Sequence, residues 1–318
     1  MTVLVTGANG FVGSHVVRQL VASGAEVVAL VRPSSSLARL EGISVPVNVE
    51  RADLADIDQV QTQLNRIKPT RCIHVAWYAE PGKCLDAREN LDSLRFSLDL
   101  IEALAKAGCQ HVVGVGTCFE YAMGTELLTE DSRTAPRTLY AAAKLAFSLV
   151  AAQRLARLGI PMAWARLFYM YGPYEDERRL VPAAIRALTA GREFPCTSGE
   201  QVRDYLHVED VASAISALSL NSLNGSFNVS SGQPETLARM MQELGELMGR
   251  PDLIRLGALP NREWDPQFVG GDSQRLRREA HWSPRYGLRD GLAATVEWWK
   301  RQASATPPAQ RPAAGQTP

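Results

Sequence analysis

Short apolar runs alternate with helix-length segments through the first half of the chain. The runs are Val3 to Thr6, Val27 to Val31, Val45 to Val49, Cys72 to Ala76, His111 to Val115 and Met162 to Leu167. Each is brief and largely apolar, as strands buried on both faces are. Between them, Phe11 to Ser23, Ile57 to Ile67, Asp86 to Lys106 and Leu139 to Leu158 have helical length and periodicity, with Gly24, Gly108 and Gly159 where helices end. This alternation predicts an α/β fold, a Rossmann-type doubly wound parallel sheet with right-handed crossovers. Its ligand crevice should lie beyond the carboxyl ends of the strands.

After Tyr171-Gly172-Pro173 the pattern loosens, and Pro182, Pro195, Pro234, Pro251, Pro260, Pro266 and Pro284 separate shorter elements. We therefore expect a first, doubly wound domain over 1–171 and a smaller C-terminal α/β domain over 172–302. Gly225 to Ser231 reads as strand then turn, so about 204–232 is expected to return to the first domain. Residues 303–318, rich in Pro, Ala and Gln, have little to bury and read as a disordered tail. No internal repeat is visible.

Composition narrows the partners. At roughly 150 residues per domain, 318 residues make two domains or one large α/β unit. Lys plus Arg and Asp plus Glu both number 34, so no basic field draws the protein to nucleic acid or to an anionic membrane. Hydrophobic residues reach 46% but are interrupted everywhere, and no run approaches the roughly 18 needed to span a bilayer. Met1-Thr2 leads directly into Val3-Leu4-Val5 without a secretory signal pattern, so a soluble, cytoplasmic protein is expected. The cysteines, Cys72, Cys84, Cys109, Cys118 and Cys196, are odd in number and lack C-x-x-C spacing, which argues for reduced thiols and against a metal site.

Candidate chemistry begins at Thr6-Gly7-Ala8-Asn9-Gly10-Phe11-Val12-Gly13, between the first strand and the first helix. Glycine serves the tight turn at Gly7, backbone approach to a pyrophosphate at Gly10, and close helix packing at Gly13. The strand-two position that usually carries a ribose-binding acid in NAD proteins holds Val31-Arg32-Pro33-Ser34-Ser35-Ser36. Arg32 and Ser35 would suit a 2′-phosphate, so NADP(H) is expected over NAD(H), with NAD(H) possible. The plainer reading of Arg32 is an exposed arginine ending a strand. Asp53-Leu54 is the expected adenine contact. Tyr140 and Lys144 lie one turn apart on one helix, where an ammonium would lower the phenol's pKa towards working pH. Thr117 follows the fifth strand at its carboxyl end and could hold the same substrate oxygen.

Together with His74-Val75-Ala76, Arg166 to Pro173 and Arg203 to Val211, these motifs resemble the extended short-chain dehydrogenase/reductases that act on nucleotide-activated sugars. The resemblance spans about residues 2–300. It implies Thr117, Tyr140 and Lys144 as the catalytic set and Gly7, Asn9, Gly10, Phe11, Val12, Gly13, Val75, Ala76, Trp77 and Asn90 around the cofactor. It places Arg203 and Arg262 on the sugar nucleotide diphosphate, and Tyr78, Cys118, Phe119 and Tyr169 at the sugar. It also implies a homodimer built on a four-helix bundle.

Departures from the family pattern shape the expected reaction. The 4,6-dehydratases carry Asp-Glu after the catalytic Thr, whereas this chain has Cys118-Phe119, so dehydration looks excluded. Tyr169 replaces the usual Asn, and Trp77-Tyr78 stands where small residues are usual. The expected function is therefore NADPH-dependent reduction of the 4-keto group of a nucleotide-linked 6-deoxy sugar. The alternatives are an NAD-retaining C4 epimerase of a nucleotide sugar and, from another class, a non-catalytic dinucleotide-binding regulator. His74 and His207 read as hydrogen-bonded structural histidines, Cys118 as pocket lining, and Trp298-Trp299 as core.

Overall fold

The apolar runs assemble into one parallel sheet in the computed structural model of the protein, which describes residues 1–261 and 265–305. The first half runs β1 (Thr2–Thr6), α1 (Phe11–Ala22), β2 (Glu26–Val31), β3 (Asn48–Arg51), α2 (Ile57–Ile67), β4 (Arg71–His74), α3 (Glu89–Lys106), β5 (His111–Thr117), α4 (Leu139–Arg157) and β6 (Met162–Leu167). The rest runs β7 (Tyr169–Tyr171), α5 (Leu180–Thr189), β8 (Phe194–Pro195), β9 (Val202–Arg203), β10 (Tyr205–His207), α6 (Val208–Leu220), β11 (Gly225–Val229), β12 (Glu235–Thr236), α7 (Leu237–Leu247), β13 (Ile254–Arg255), β14 (Phe268–Val269), α8 (Gln274–Ala280) and α9 (Leu288–Ala305).

The main sheet has the order β11-β6-β5-β4-β1-β2-β3, all parallel. The strand order reverses between β1 and β4, so the chains leaving those strands diverge and open a crevice at their carboxyl ends. Alternate strand residues face opposite layers. Val3 and Val5 meet Val16, Val17 and Leu20 of α1 and the α6 side chains Val211, Ile215 and Leu218. Leu4 and Cys72 meet Val60 and Leu64 of α2, Leu100 and Leu104 of α3, and Phe147 and Leu155 of α4. Burial of each large side chain contributes about 1.5–3 kcal/mol, and covering both faces explains why the strands read as unbroken apolar runs.

Local chemistry sets the element boundaries. β3 begins at Asn48 instead of Val45, because Val45 is 53% exposed and Pro46 has no N–H to donate to a ladder. α3 begins at Glu89, since Asp86 Oδ1 accepts the Leu139 N–H at the start of α4 (3.3 Å). Side-chain caps start α2, where Asp56 accepts from Gln59 N (3.0 Å), and α4, where Thr138 accepts from Ala141 N (3.2 Å).

A second, smaller core joins Tyr171, Val181, Ile185, Met240, Leu244, Leu292 and Val296, drawn largely from α5, α7 and α9. β11 rejoins the main sheet beside β6. α9 continues through Ala305, so helix occupies the start of the expected tail; residues 306–318 lie outside the described residues. Among the described residues no helix is long and apolar enough to cross a membrane.

Candidate active site

The turn after β1 is shaped by a close neighbour. Gly7 has φ +64°, and a Cβ there would lie 2.8 Å from Ala76 N, where the chain leaves β4. A Cβ on Gly13 would sit 2.8 Å from the Gly7 carbonyl carbon and closer still to its oxygen, so α1 rests directly on the turn. Gly10 is the N-cap of α1, with no side-chain cap and no acid in the first turn. The N–H groups of Phe11, Val12 and Gly13 are left without intrahelical acceptors, which together with the helix dipole makes an anion cradle. These residues fit a dinucleotide pyrophosphate. Asn9 Nδ2 donates to Ser36 O (3.2 Å), tying the turn to the loop after β2.

Behind the turn, Thr6 Oγ1 accepts from Ala76 N (3.3 Å) and contacts His74 Nδ1 (2.7 Å), while His74 Nε2 meets Ser97 Oγ (2.8 Å). Ser97 donates to Ser93 O (2.6 Å), so Nε2 carries the histidine proton and Thr6 donates to Nδ1. Burial, with the Lys144 charge adding, pushes His74 down to about 3 and keeps it neutral. Val75 N donates to Thr6 O (3.3 Å) as the chain passes β1.

The loop after β2 is held by Arg51, a residue the sequence reading passed over. Arg51 Nη1 donates to the carbonyls of Pro33 (2.6 Å), Ser35 (3.3 Å) and Arg32 (3.4 Å). Arg32 itself lies exposed, the ordinary arginine at a strand end. Asp53 is exposed, with Oδ1 accepting from Ala55 N (3.0 Å), and Leu54 packs half-buried against the α2–α3–α4 layer.

Thr117 ends β5 and caps a single 3-10 turn, Cys118–Glu120. Its Oγ1 accepts from Phe119 N (3.3 Å) and lies in hydrogen-bonding reach of the Cys118 thiol. Tyr140 enters α4 beneath the loop from 79 to 88, its N–H donating to Leu85 O (2.8 Å). One turn on, Lys144 Nζ donates to Val115 O (2.7 Å) and lies 4.0 Å from the Trp77 ring centroid and 6.0 Å from that of Tyr140. Burial pushes Lys144 down to about 7, against the pull of Glu120. Burial raises the Tyr140 phenol well above its usual value, with Cys84, Glu120 and Cys118 adding and Arg179 opposing. The expected lowering of the phenol by Lys144 is thus not what this arrangement gives, because the ammonium is drawn to Val115 and Trp77. Asn90 is fully buried and its amide is fully engaged, accepting from Trp77 Nε1 (2.9 Å) and donating to Cys84 O (2.7 Å) and Ala87 O (2.8 Å).

Under Thr117 lies a buried polar network that the sequence reading missed. Glu120 accepts from Thr117 N (2.9 Å), from Trp164 Nε1 (3.1 and 3.0 Å) and from Arg166 Nε (2.8 Å). Arg166 also donates to Tyr121 Oη (2.9 Å), which donates to Asn228 Oδ1 (2.7 Å). Glu120 comes from the turn after β5, Trp164 and Arg166 from β6, and Asn228 from β11, far apart in sequence. No local spacing could have joined them.

On the other side of Thr117, Cys118 is buried with Tyr121, Leu128, Phe168 and Val269. Burial, with Glu120 adding, pushes its thiol up to about 12. Phe119 stacks edge-on to Tyr169 (6.1 Å), and Tyr169 to Tyr205 (6.0 Å). Arg203 lies over Tyr169 (5.3 Å) and donates to Asp265 Oδ1 (2.6 Å) and Val202 O (2.7 Å), so part of its fork is engaged within the protein. Tyr78 is half-buried beside Ser93, whose Oγ accepts its N–H (3.3 Å). Arg262 lies outside the described residues. His207 Nδ1 accepts from Glu209 N (3.4 Å) at the start of α6, and Trp298 packs on Tyr174 (4.7 Å). Among the described residues no cluster of His, Cys, Asp and Glu could hold a metal ion.

Comparison with known proteins separates the family from the reaction. Residues 3–230 match the NAD dependent epimerase/dehydratase family. A UDP-glucose 4-epimerase of Corynebacterium glutamicum is 26% identical over 90% of this chain and 92% of its own. A dTDP-glucose 4,6-dehydratase of Streptomyces griseus is 27% identical over 95% and 94%, and a dTDP-4-dehydro-6-deoxy-D-allose reductase of Streptomyces bikiniensis is 29% identical over 94% and 96%. The crystal structure of Thermus thermophilus UDP-glucose 4-epimerase in complex with NAD superposes with a TM-score of 0.82 at 26% identity, covering 94% of this chain and 99% of that one.

These findings correct two expectations. The expected preference for NADP(H) does not stand: three solved neighbours at 25–26% identity are complexes with NAD. The physical reason is that Arg32 is an exposed strand-end arginine, while the guanidinium beneath the loop, Arg51, is occupied by carbonyls. NADPH-dependent 4-keto reduction falls with it, since one epimerase structure and two 4,6-dehydratase structures among these neighbours hold NAD. With the glycine cradle, the seven-stranded sheet and the match over residues 3–230 in agreement, the chain belongs to the NAD dependent epimerase/dehydratase family.

Proposed function

We propose that the protein is an NAD-retaining C4 epimerase of a nucleoside-diphosphate sugar. One observation carries this reading within the family: among the described residues, the turn that follows Thr117 presents no free carboxylate. Cys118 is a buried thiol, Phe119 is a phenyl ring, and Glu120 is fully buried with both oxygens bonded to Thr117, Trp164 and Arg166. Elimination of water across C5 and C6 requires an acid at the departing hydroxyl and a base at C5. Inversion at C4 requires neither.

In this reading Gly7, Gly10 and Gly13 seat the pyrophosphate, with Asn9, Phe11 and Val12 on the same turn and Asp53 and Leu54 towards the adenine. NAD, when bound, supplies the hydride acceptor and donor at C4. Tyr140 Oη, acting as the phenolate, takes the proton of the C4 hydroxyl as the ketone forms and gives it back as the alcohol re-forms on the other face, so the proton balance closes; the positive charge that NAD carries when bound would offset the burial that holds the phenol protonated without it. Thr117 donates its hydroxyl proton to the same oxygen. Lys144 provides positive charge behind the ribose, and Arg179 opposes the burial that raises the phenol. The Phe119–Tyr169–Tyr205 aromatic row offers the intermediate ketone a wall that makes few directional bonds, as a sugar that must present both faces requires.

We further infer a homodimer through α3 and α4, whose outer faces carry Leu91, Leu149 and Val150 at 49%, 61% and 51% exposure. Cofactor identity tests the main reading. Acid-denatured, freshly purified protein is expected to release NAD close to one per chain. Protein that comes out empty and consumes NADPH would refute it.

A further inference from the structure

The residue following Ala76 is a tryptophan, and it meets Lys144. The indole Nε1 donates to Asn90 Oδ1 (2.9 Å). Asn90, fully buried, cannot turn its amide over, because Nδ2 is fixed on the carbonyls of Cys84 (2.7 Å) and Ala87 (2.8 Å). The ring plane is further steadied by Phe147, 6.3 Å away. Across its face, 4.0 Å from the centroid, lies the Lys144 ammonium, which has Val115 O as its hydrogen-bond acceptor at 2.7 Å.

We propose that Trp77 is a positioning residue for Lys144: its indole face, aimed by Asn90, holds the ammonium against Val115 and sustains its charge in a buried site. The other groups around Lys144 do this only indirectly. Glu120, on the turn after β5, acts through space while its oxygens serve Thr117, Trp164 and Arg166. His74, at the end of β4, is neutral and bonded to Thr6 and Ser97. Tyr140, on α4 itself, has its ring 6.0 Å away and its phenol protonated by burial. A desolvated cation over an aromatic face is stabilised by the ring quadrupole, most strongly over indole. Burial, against the pull of Glu120, holds Lys144 down at about 7, so the indole contact bears on the charge state near neutral pH.

The role of Lys144 in turnover rests on the proposed function, whereas the contact with Trp77 does not, so the test reads the lysine directly. The chain has only five lysines, Lys68, Lys83, Lys106, Lys144 and Lys300, so protein labelled with 13C at lysine Cε gives a countable spectrum, with Lys144 assigned by Lys144→Arg. Trp77→Leu is expected to lower the Lys144 titration midpoint by about one pH unit, tenfold in its protonation equilibrium, and Trp77→Phe by less than half of that. The four other signals should not move. An unchanged midpoint in Trp77→Leu, or equal shifts in the Phe and Leu variants, overturns the proposal. Should Trp77→Leu fail to fold, biosynthetic replacement of tryptophan by mono- and difluorotryptophan keeps the shape while weakening the ring face. The midpoint should then fall stepwise with fluorination, and a flat series overturns the proposal. A chain with no epimerase activity but the shifted midpoint would sink the functional reading alone; an active enzyme with a flat titration would sink this one alone.

Discussion

Glu120→Gln puts the buried network under Thr117 to the test. Glu120 and Arg166 pair at 2.8 Å with side chains 0% and 7% exposed, so neither charge can turn to water when its partner is lost. The glutamine keeps an acceptor for Thr117 or Trp164 but strands the Arg166 charge on Tyr121 Oη and the Glu130 carbonyl (3.4 Å). Breaking one side of a buried pair costs about 3–5 kcal/mol. For 318 residues unfolding as one unit this corresponds to a Tm lower by about 5–8 °C. Arg154→Ala is the control: its pair with Glu102 is closer, at 2.5 Å, but the side chains are 44% and 43% exposed. That variant should lose less than about 1 kcal/mol. Urea unfolding at pH 7 measures both, and Glu120→Gln/Arg166→Gln should recover much of the loss because no charge is stranded. A Glu120→Gln variant no less stable than Arg154→Ala, or a double variant as weak as the sum of the singles, would refute the reasoning.

Three further outcomes follow from the same geometry. Gly13→Ala pushes a methyl into the Gly7 carbonyl, so it should lose at least about tenfold in NAD affinity and about 1–3 kcal/mol of stability, while Gly124→Ala, with open space around it, changes neither; calorimetric NAD titration and urea unfolding read the two. Tyr140→Phe should leave the NAD content of the purified protein intact and slow turnover at least about 100-fold, as loss of a proton-transfer group does, and near-normal turnover would move the proton step elsewhere. Burial pushes the Glu175 carboxyl up from 4.5 to about 8, so between those pH values the folded chain keeps a proton that the unfolded chain releases, and this group's contribution to stability falls as pH rises through the window. Glu175→Gln should therefore flatten the decline in Tm between pH 5 and 8.5; parallel curves for the two proteins would contradict it.

Periodicity made the sheet legible because strands covered on both faces must be apolar along their whole length, and the glycine turn was legible because steric demand there is local. β3 was displaced because Val45 and Val47 look like strand while Pro46 between them cannot join a ladder. What escaped the sequence was set by long-range partners. Arg51 lies 16 to 19 residues from the carbonyls it holds, and without it Arg32 looked like the cation that mattered. Tyr140 and Lys144 were placed by their spacing, yet the lysine turned to Val115, 29 residues away, and to an aromatic ring from another strand end. Glu120, legible only as a nearby carboxylate, proved to be removed from the pocket by Trp164 and Arg166 across 44 and 46 residues.

In the proposed reaction, inversion at C4 returns the hydride to the carbon it left. Nucleoside-diphosphate glucose deuterated at C4, with UDP and dTDP as the nucleotides, is incubated with the purified protein without added cofactor and followed by NMR. Conversion to the C4 epimer is expected, with deuterium retained at C4 and no new methyl signal. Loss of the deuterium to unlabelled hydrogen, or appearance of a 4-keto-6-deoxy sugar, would contradict it.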